Sequence, residues 1–131
     1  MTASLMIELQ AVPERVPSAR GAITRLCQDL QIEEDLAGQI RLAVTEACTN
    51  CVLHAYGNES ATDATFALEA RVEDDDLLVV VRDAGAGITT VRSGRAGLGF
   101  GLRLVRQAAS SMDVVSRPGG GTSVAMRFAL R

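Results

Sequence analysis

Tryptophan is absent from this chain, and three phenylalanines and one tyrosine are its whole aromatic content. Packing therefore falls to Leu, Val, Ile and Ala in a chain that is 47% hydrophobic. No apolar run approaches the roughly 20 residues that a membrane-spanning helix needs, so no membrane partner is expected. A basic excess is missing too. The formal charge is −3 and the pI about 5.1, and without a basic run the chain is a poor general binder of nucleic acid. The stretch MTASLMIELQAVPER has no basic flank ahead of a long apolar core and does not read as a secretion signal. The three cysteines are an odd number, expected as reduced thiols in a cytoplasmic protein. GxxxxGK[ST] is absent, which excludes a P-loop protein. GxGxxG is never completed: Gly85-x-Gly87 is followed by Thr90, and Gly99-x-Gly101 by Leu104. That argues against a dinucleotide fold and a eukaryotic-type kinase loop.

What is present reads as one domain over 1–131, long enough for a real core. Residues 5–10 are predicted as a strand, and a helix follows from about Val16 to Leu30, after Pro13. A second helix runs through QIEEDLAGQIRLAVTEACTNCVLHAYG, with acidic residues at its start and Gly57 at its end. ATFALEARVE and LLVVVRD read as two strands joined by a tight turn at Asp74-Asp75-Asp76. AGAGITTVRSGRAGLGFG is a glycine-rich loop, LRLVRQAASS a third helix, and MDVVSRP and TSVAMRFALR two further strands around Gly119-Gly120-Gly121. With no internal repeat and no linker, this order predicts an α+β sandwich: a mixed, mainly antiparallel sheet with helices over one face.

The second helix poses the chemical question. At about 100° per residue, Ile40, Val44, Ala47, Cys48, Cys51 and Ala55 form a core face, while Glu46, Asn50 and His54 line a separate polar stripe. Residues four apart stack, so Glu46 and Asn50 present oxygens to one small volume. An amide oxygen can ligate magnesium and a carboxylate can orient or deprotonate a nucleophile. An ordinary solvated face is the competing reading of that stripe.

Downstream, Asp83 ends an apolar strand and precedes Gly85 and Gly87. A carboxylate there can accept from an exocyclic amine, and glycines let a flat ring approach the backbone. Gly97-Leu98-Gly99-Phe100-Gly101 opens a helix whose N–H groups suit phosphates. Gly120-x-Thr122 opens the last strand.

Taken in order, Glu46-x-x-x-Asn50, Asp83-x-Gly85-x-Gly87, Gly97-x-Gly99-x-Gly101 and Gly120-x-Thr122 resemble the N, G1, G2 and G3 boxes of the gyrase, heat-shock chaperone and histidine-kinase ATPase superfamily. TEACTNCVLHAYG and RAGLGFGLRLVRQAASSMDVVSRPGGGTSVAMRF are similar to the RsbW-like anti-sigma-factor serine/threonine kinases. The resemblance spans nearly the whole chain and implies the Bergerat α/β sandwich. It implies Glu46 as general base, Asn50 as magnesium ligand, Asp83 as acceptor for the adenine amine, and Thr122 assisting at the adenine end. Gly85, Gly87, Gly97, Leu98, Gly99, Phe100 and Gly101 would shape the ATP pocket under a lid at 88–96, and Arg95 would meet the γ-phosphate or a protein partner. The implied activity is phosphorylation of a serine or threonine on an anti-anti-sigma (STAS) protein, with a sigma factor held inactive in another state, and a homodimer formed through the sheet side. The N and glycine boxes also occur in superfamily members that do not phosphorylate serine, so an ATP-binding sequestration module with little or no phosphotransfer is the alternative. A detached histidine-kinase ATPase domain is disfavoured, because residues 1–35 hold no histidine.

Other signals have plainer readings. Cys48 and Cys51, with Cys27 and His54, invite zinc, but helix geometry puts both cysteines on the core face and His54 off it. A CxxC redox site lacks the strand-to-helix position that lowers a thiol pKa. His54 reads as a structural histidine, and Glu73-Asp74-Asp75-Asp76 as a solvated hairpin rather than a calcium loop. Arg92, Arg95, Arg103 and Arg106 cluster around the expected phosphate loop, suiting a γ-phosphate or an acidic partner better than DNA.

Overall fold

The computed structural model describes residues 3–56, 64–83, 109–117 and 121–130. Its elements are β1 (Ser4–Gln10), α1 (Val16–Asp29), α2 (Glu34–Tyr56), β2 (Thr65–Glu73), β3 (Asp76–Asp83), β4 (Ser111–Arg117) and β5 (Gly121–Ala129). One 3-10 turn, Pro13–Arg15, leads into α1. The five strands form one sheet in the order β1-β2-β3-β5-β4. Every described pair is antiparallel.

Alternation builds the layers. Phe66, Leu68 and Ala70 on β2, Leu77, Val79 and Val81 on β3, and Val124, Met126 and Phe128 on β5 are buried. Register sets Leu77 opposite Phe128, Val79 opposite Met126 and Val81 opposite Val124. This inner face meets Ile23, Leu26 and Cys27 of α1 and Ile40, Val44, Ala47 and Cys48 of α2 in one core cluster. Ile40, Val44, Ala47, Cys48 and Cys51 of α2 are buried as their spacing predicts, with Ala37, Ala43 and Val52 added, and the side chain of Ala55 lies outside the described residues. Helices thus cover one face of the sheet, as expected, and the described sheet is antiparallel throughout.

The boundaries have local causes. Gln31, at φ 56, breaks α1 from α2. The Gln31 N–H donates to Gln28 O and the Ile32 N–H to Cys27 O, which is a Schellman ending with glutamine at the left-handed position. That is why α2 starts at Glu34 rather than at Gln31. Asp74 and Asp75, at φ 54 and 68, make the two-residue turn between β2 and β3. Asp76 is already strand. Arg127 of β5 bonds Glu73 and lies 3.4 Å from Asp76 Oδ2, clasping that hairpin. Both partners favour ionisation: hydrogen bonds from Arg127 and Arg71 hold the Glu73 carboxyl below the usual carboxylate range.

The expected third helix over 102–111 falls mainly outside the described residues. Its end differs from the expectation: the Ser110 N–H donates to Arg127 O at 2.7 Å, and Ser111 pairs with Arg127 in β4. Alanine and serine are compatible with either state, and the ladder bond decides.

Candidate functional site

The apolar row Leu77, Val79, Val81 ends on a charge. Asp83 continues it on the inner face and is buried at 7% exposure. Across the ladder from it stands Thr122. Thr122 Oγ1 is buried and has no hydrogen-bond partner among the described residues. A buried hydroxyl without a partner costs free energy, about 1–3 kcal/mol, so it marks a place where a ligand atom is wanted. Before it, Gly121 has φ 92, a left-handed value that a side chain would strain.

Helix α2 passes over this end of the sheet. Asp83 is near enough to Cys51 that its negative charge, after burial itself, raises the thiol's pKa. Cys51 directly follows Asn50 in the chain, and Glu46 lies one turn earlier, with both polar residues half-buried beside the core stripe. The outer flank of α2 is tied to α1 by Arg20 Nε donating to Thr45 Oγ1 at 3.2 Å, and to its own first turn by Arg41 with Glu34 at 2.7 Å.

The structure therefore brings Asp83 and Thr122 together and carries the Asn50 segment to them. It describes Glu46 and Asn50 on one stripe of α2, as their spacing predicts. Gly85, Gly87, Arg95, Gly97, Leu98, Gly99, Phe100, Gly101, Gly120 and the lid at 88–96 lie outside the described residues, as do the arginines at 92, 103 and 106 and the side chain of His54. Among the described residues no three His, Cys, Asp or Glu side chains gather as a metal cage would require. Asn50 could hold magnesium only with phosphate oxygens and water completing the shell, which is how that ion is usually bound.

The cysteines sit in the core. Burial pushes the Cys48 thiol up from 9.0 to about 12, and burial above all raises Cys27 and Cys51. Thiols so held are protonated and unreactive. Sequence reasoning treated Cys51 only as a small hydrophobe. Its closeness to Asp83 needed the packing of α2 on β3, which no local spacing encodes. The chain has thirteen arginines and no lysine, so a permanently charged side chain meeting a phosphate here is a guanidinium.

Comparison with known proteins identifies the family and the fold. Residues 9–128 match the family model for the histidine kinase-like ATPase domain. The chain is 29% identical to an anti-sigma F factor of Oceanobacillus iheyensis, with 96% of this chain and 92% of that protein covered. It is 30% identical to the anti-sigma F factor of Caldanaerobacter subterraneus subsp. tengcongensis, covering 82% and 80%. Among solved structures, it superposes on the RsbU and RsbW domains of Rv1364c from Mycobacterium tuberculosis with a TM-score of 0.77 at 19% identity, over 98% of this chain and 33% of that one. The SiaB-SiaC complex from Pseudomonas aeruginosa gives 0.73 at 13% identity, over 95% and 88%.

Proposed function

This chain belongs to the histidine kinase-like ATPase family, and from that premise we propose that it is an ATP-dependent serine/threonine protein kinase acting as an anti-sigma factor. Its substrate is a serine or threonine of a small anti-anti-sigma (STAS) protein, and its other partner is an RNA polymerase sigma factor that it sequesters in the cytoplasm. The similarity to anti-sigma F factors supports the partner class. The observation that carries the nucleotide site is the meeting of a buried carboxylate, Asp83, and a buried Thr122 hydroxyl that has no partner among the described residues, at the end of the sheet that the helix bearing Glu46 and Asn50 covers.

In this reading Asp83 accepts from the exocyclic amine of adenine, and Thr122 Oγ1 finds its partner at the same end. Asn50 Oδ1 would hold magnesium, which would supply neutralisation of phosphate charge. The Glu46 carboxylate takes the proton of the substrate hydroxyl as that oxygen bonds to the γ-phosphorus, and the bond to the β–γ bridging oxygen breaks to release ADP. Such a reaction needs mostly positioning and charge stabilisation, with modest help from a base. Arg95 and the glycines at 85, 87, 97, 99 and 101, with Leu98 and Phe100, supply the cation and the amides around the phosphates. A homodimer would use the open face of the sheet, where Met6 and Val115 are exposed and Leu78 and Val80 are half-buried.

The test is labelled ATP with magnesium and candidate STAS domains. Wild type should yield phosphoserine or phosphothreonine, and Glu46→Ala should keep ATP binding while transfer falls by about 10²–10⁴-fold. Wild type that binds ATP and labels no cognate candidate is a sequestration module instead. Loss of nucleotide binding in Glu46→Ala would give Glu46 a structural role.

A further inference from the structure

Four large apolar side chains stay exposed among the described residues, and two of them, Leu42 at 41% and Leu53 at 58%, are on α2. A single exposed leucine is ordinary. These two share a line. Eleven residues bring a helix to within about 20° of its starting direction, so both leucines lie on one side of α2, about 17 Å apart. Glu46 stands between them, one turn beyond Leu42 and two turns before Leu53.

The strip is unlike a solvated face. From Leu42 to Tyr56, Glu46 is the only acidic or basic residue besides His54, whereas an outward helix face ordinarily carries several charges. Between the two leucines every side chain is buried or half-buried, Thr45, Glu46, Thr49 and Asn50 included. Thr45 donates to Arg41 O at 2.8 Å and accepts from Arg20 Nε at 3.2 Å, which fixes one flank. Apolar ends, a neutral polar floor and one carboxylate make the charge-poor pattern of a protein interface.

What covers the strip follows from Glu46. A general base must come within about 2.6–3.2 Å of the hydroxyl it serves. The molecule that carries the hydroxyl therefore lies against α2 at Glu46. Water or a small alcohol would touch the carboxylate alone. Only a macromolecule reaches both leucines at once.

Resting on the kinase reading above, we propose that Leu42 and Leu53 are docking contacts for the phosphoacceptor protein: apolar side chains on either side of its serine or threonine rest on the two leucines and set the hydroxyl over Glu46. Substrate choice then depends on two residues that touch neither ATP nor the reacting atoms.

The experiment uses the STAS domain that labelled ATP identifies as a substrate of wild type. Steady-state transfer by Leu42→Gln, Leu53→Gln and the double variant gives KM and kcat for that domain, and titration calorimetry gives the ATP dissociation constant. Glutamine is a good helix former, and circular dichroism checks folding. Each single variant should raise KM about fivefold with kcat and ATP affinity unchanged, and the double variant about 25-fold, since contacts this far apart add. Leu42→Met and Leu53→Met should keep the wild-type KM. Folded glutamine variants with an unchanged KM overturn the proposal. A rise in KM matched by an equal loss of ATP affinity also overturns it, because the leucines would then belong to the nucleotide site. If one variant does not fold, the other decides. Wild type that labels no STAS domain overturns the kinase reading itself, before any variant is made.

Discussion

Thr122→Val should make the protein more stable and a worse binder of ATP. The hydroxyl it removes is buried with no hydrogen-bond partner among the described residues. Such a group costs about 1–2 kcal/mol in the unliganded state, and valine keeps the branched shape while favouring a strand. With an unfolding entropy of about 0.28 kcal/mol/K for 131 residues, the melting temperature should rise by about 4–7 °C. Binding moves the other way. Loss of one hydrogen bond of about 1 kcal/mol should weaken ATP about fivefold. Differential scanning calorimetry without ligand gives the first number and titration calorimetry the second, with Thr122→Ser expected to resemble wild type in both. A fall in melting temperature would mean the hydroxyl is already satisfied in the free protein. Unchanged ATP affinity would remove Thr122 from the adenine end.

Asp83→Asn should weaken ATP about tenfold, since an amide oxygen is a poorer acceptor than a carboxylate, and equal losses for ATP and ITP would show general damage instead. Gly21→Ala in α1 should stabilise by about 0.5–1 kcal/mol in urea titrations, because a Cβ there meets no atom within 4 Å and glycine is a poor helix former. A loss would mean that the cleft beside Ser4 and Leu5 needs the space. Alkali should unfold the protein through its thiols. Cys48 is raised in the folded state to about 12, so its stabilisation is whole below about pH 9 and is lost as pH rises toward 12. The unfolded chain gives up the proton first, so stability falls by up to about 1.4 kcal/mol per pH unit per thiol. With no lysine and one tyrosine in the chain, little else titrates in that window. Urea midpoints under reducing conditions at about pH 8, 9 and 10 should fall less steeply for Cys48→Ala, and parallel slopes would refute the assignment.

Local signals carried most of the fold. The period of α2 marked five of its buried residues, from Ile40 to Cys51, though not Ala37, Ala43 or Val52, and alternation marked β2, β3 and β5 to within about one residue at most ends. Where the reading slipped, distant bonds decided. Ser110 and Ser111 answer to Arg127 on another strand, and Gln31 takes a left-handed conformation usually left to glycine. The site was legible as a list of residues but not as neighbours. Asp83 and Thr122 are 39 positions apart, and only the insertion of β5 between β3 and β4 sets them face to face. Cys51 was hidden because apolar spacing says which side of a helix is inward, not which inward group meets a charge.

Strand β5 joins two ends of the sheet that have different duties. At one end Thr122 faces Asp83, and at the other Arg127 grips Glu73 and Asp76 beside the β2–β3 turn. Sliding β5 by a single position would turn Thr122 to the opposite face of the sheet, together with Met126 and Phe128. The guanidinium clasp and the two large side chains therefore act as a vernier, setting the recognition of a base from the far end of the strand.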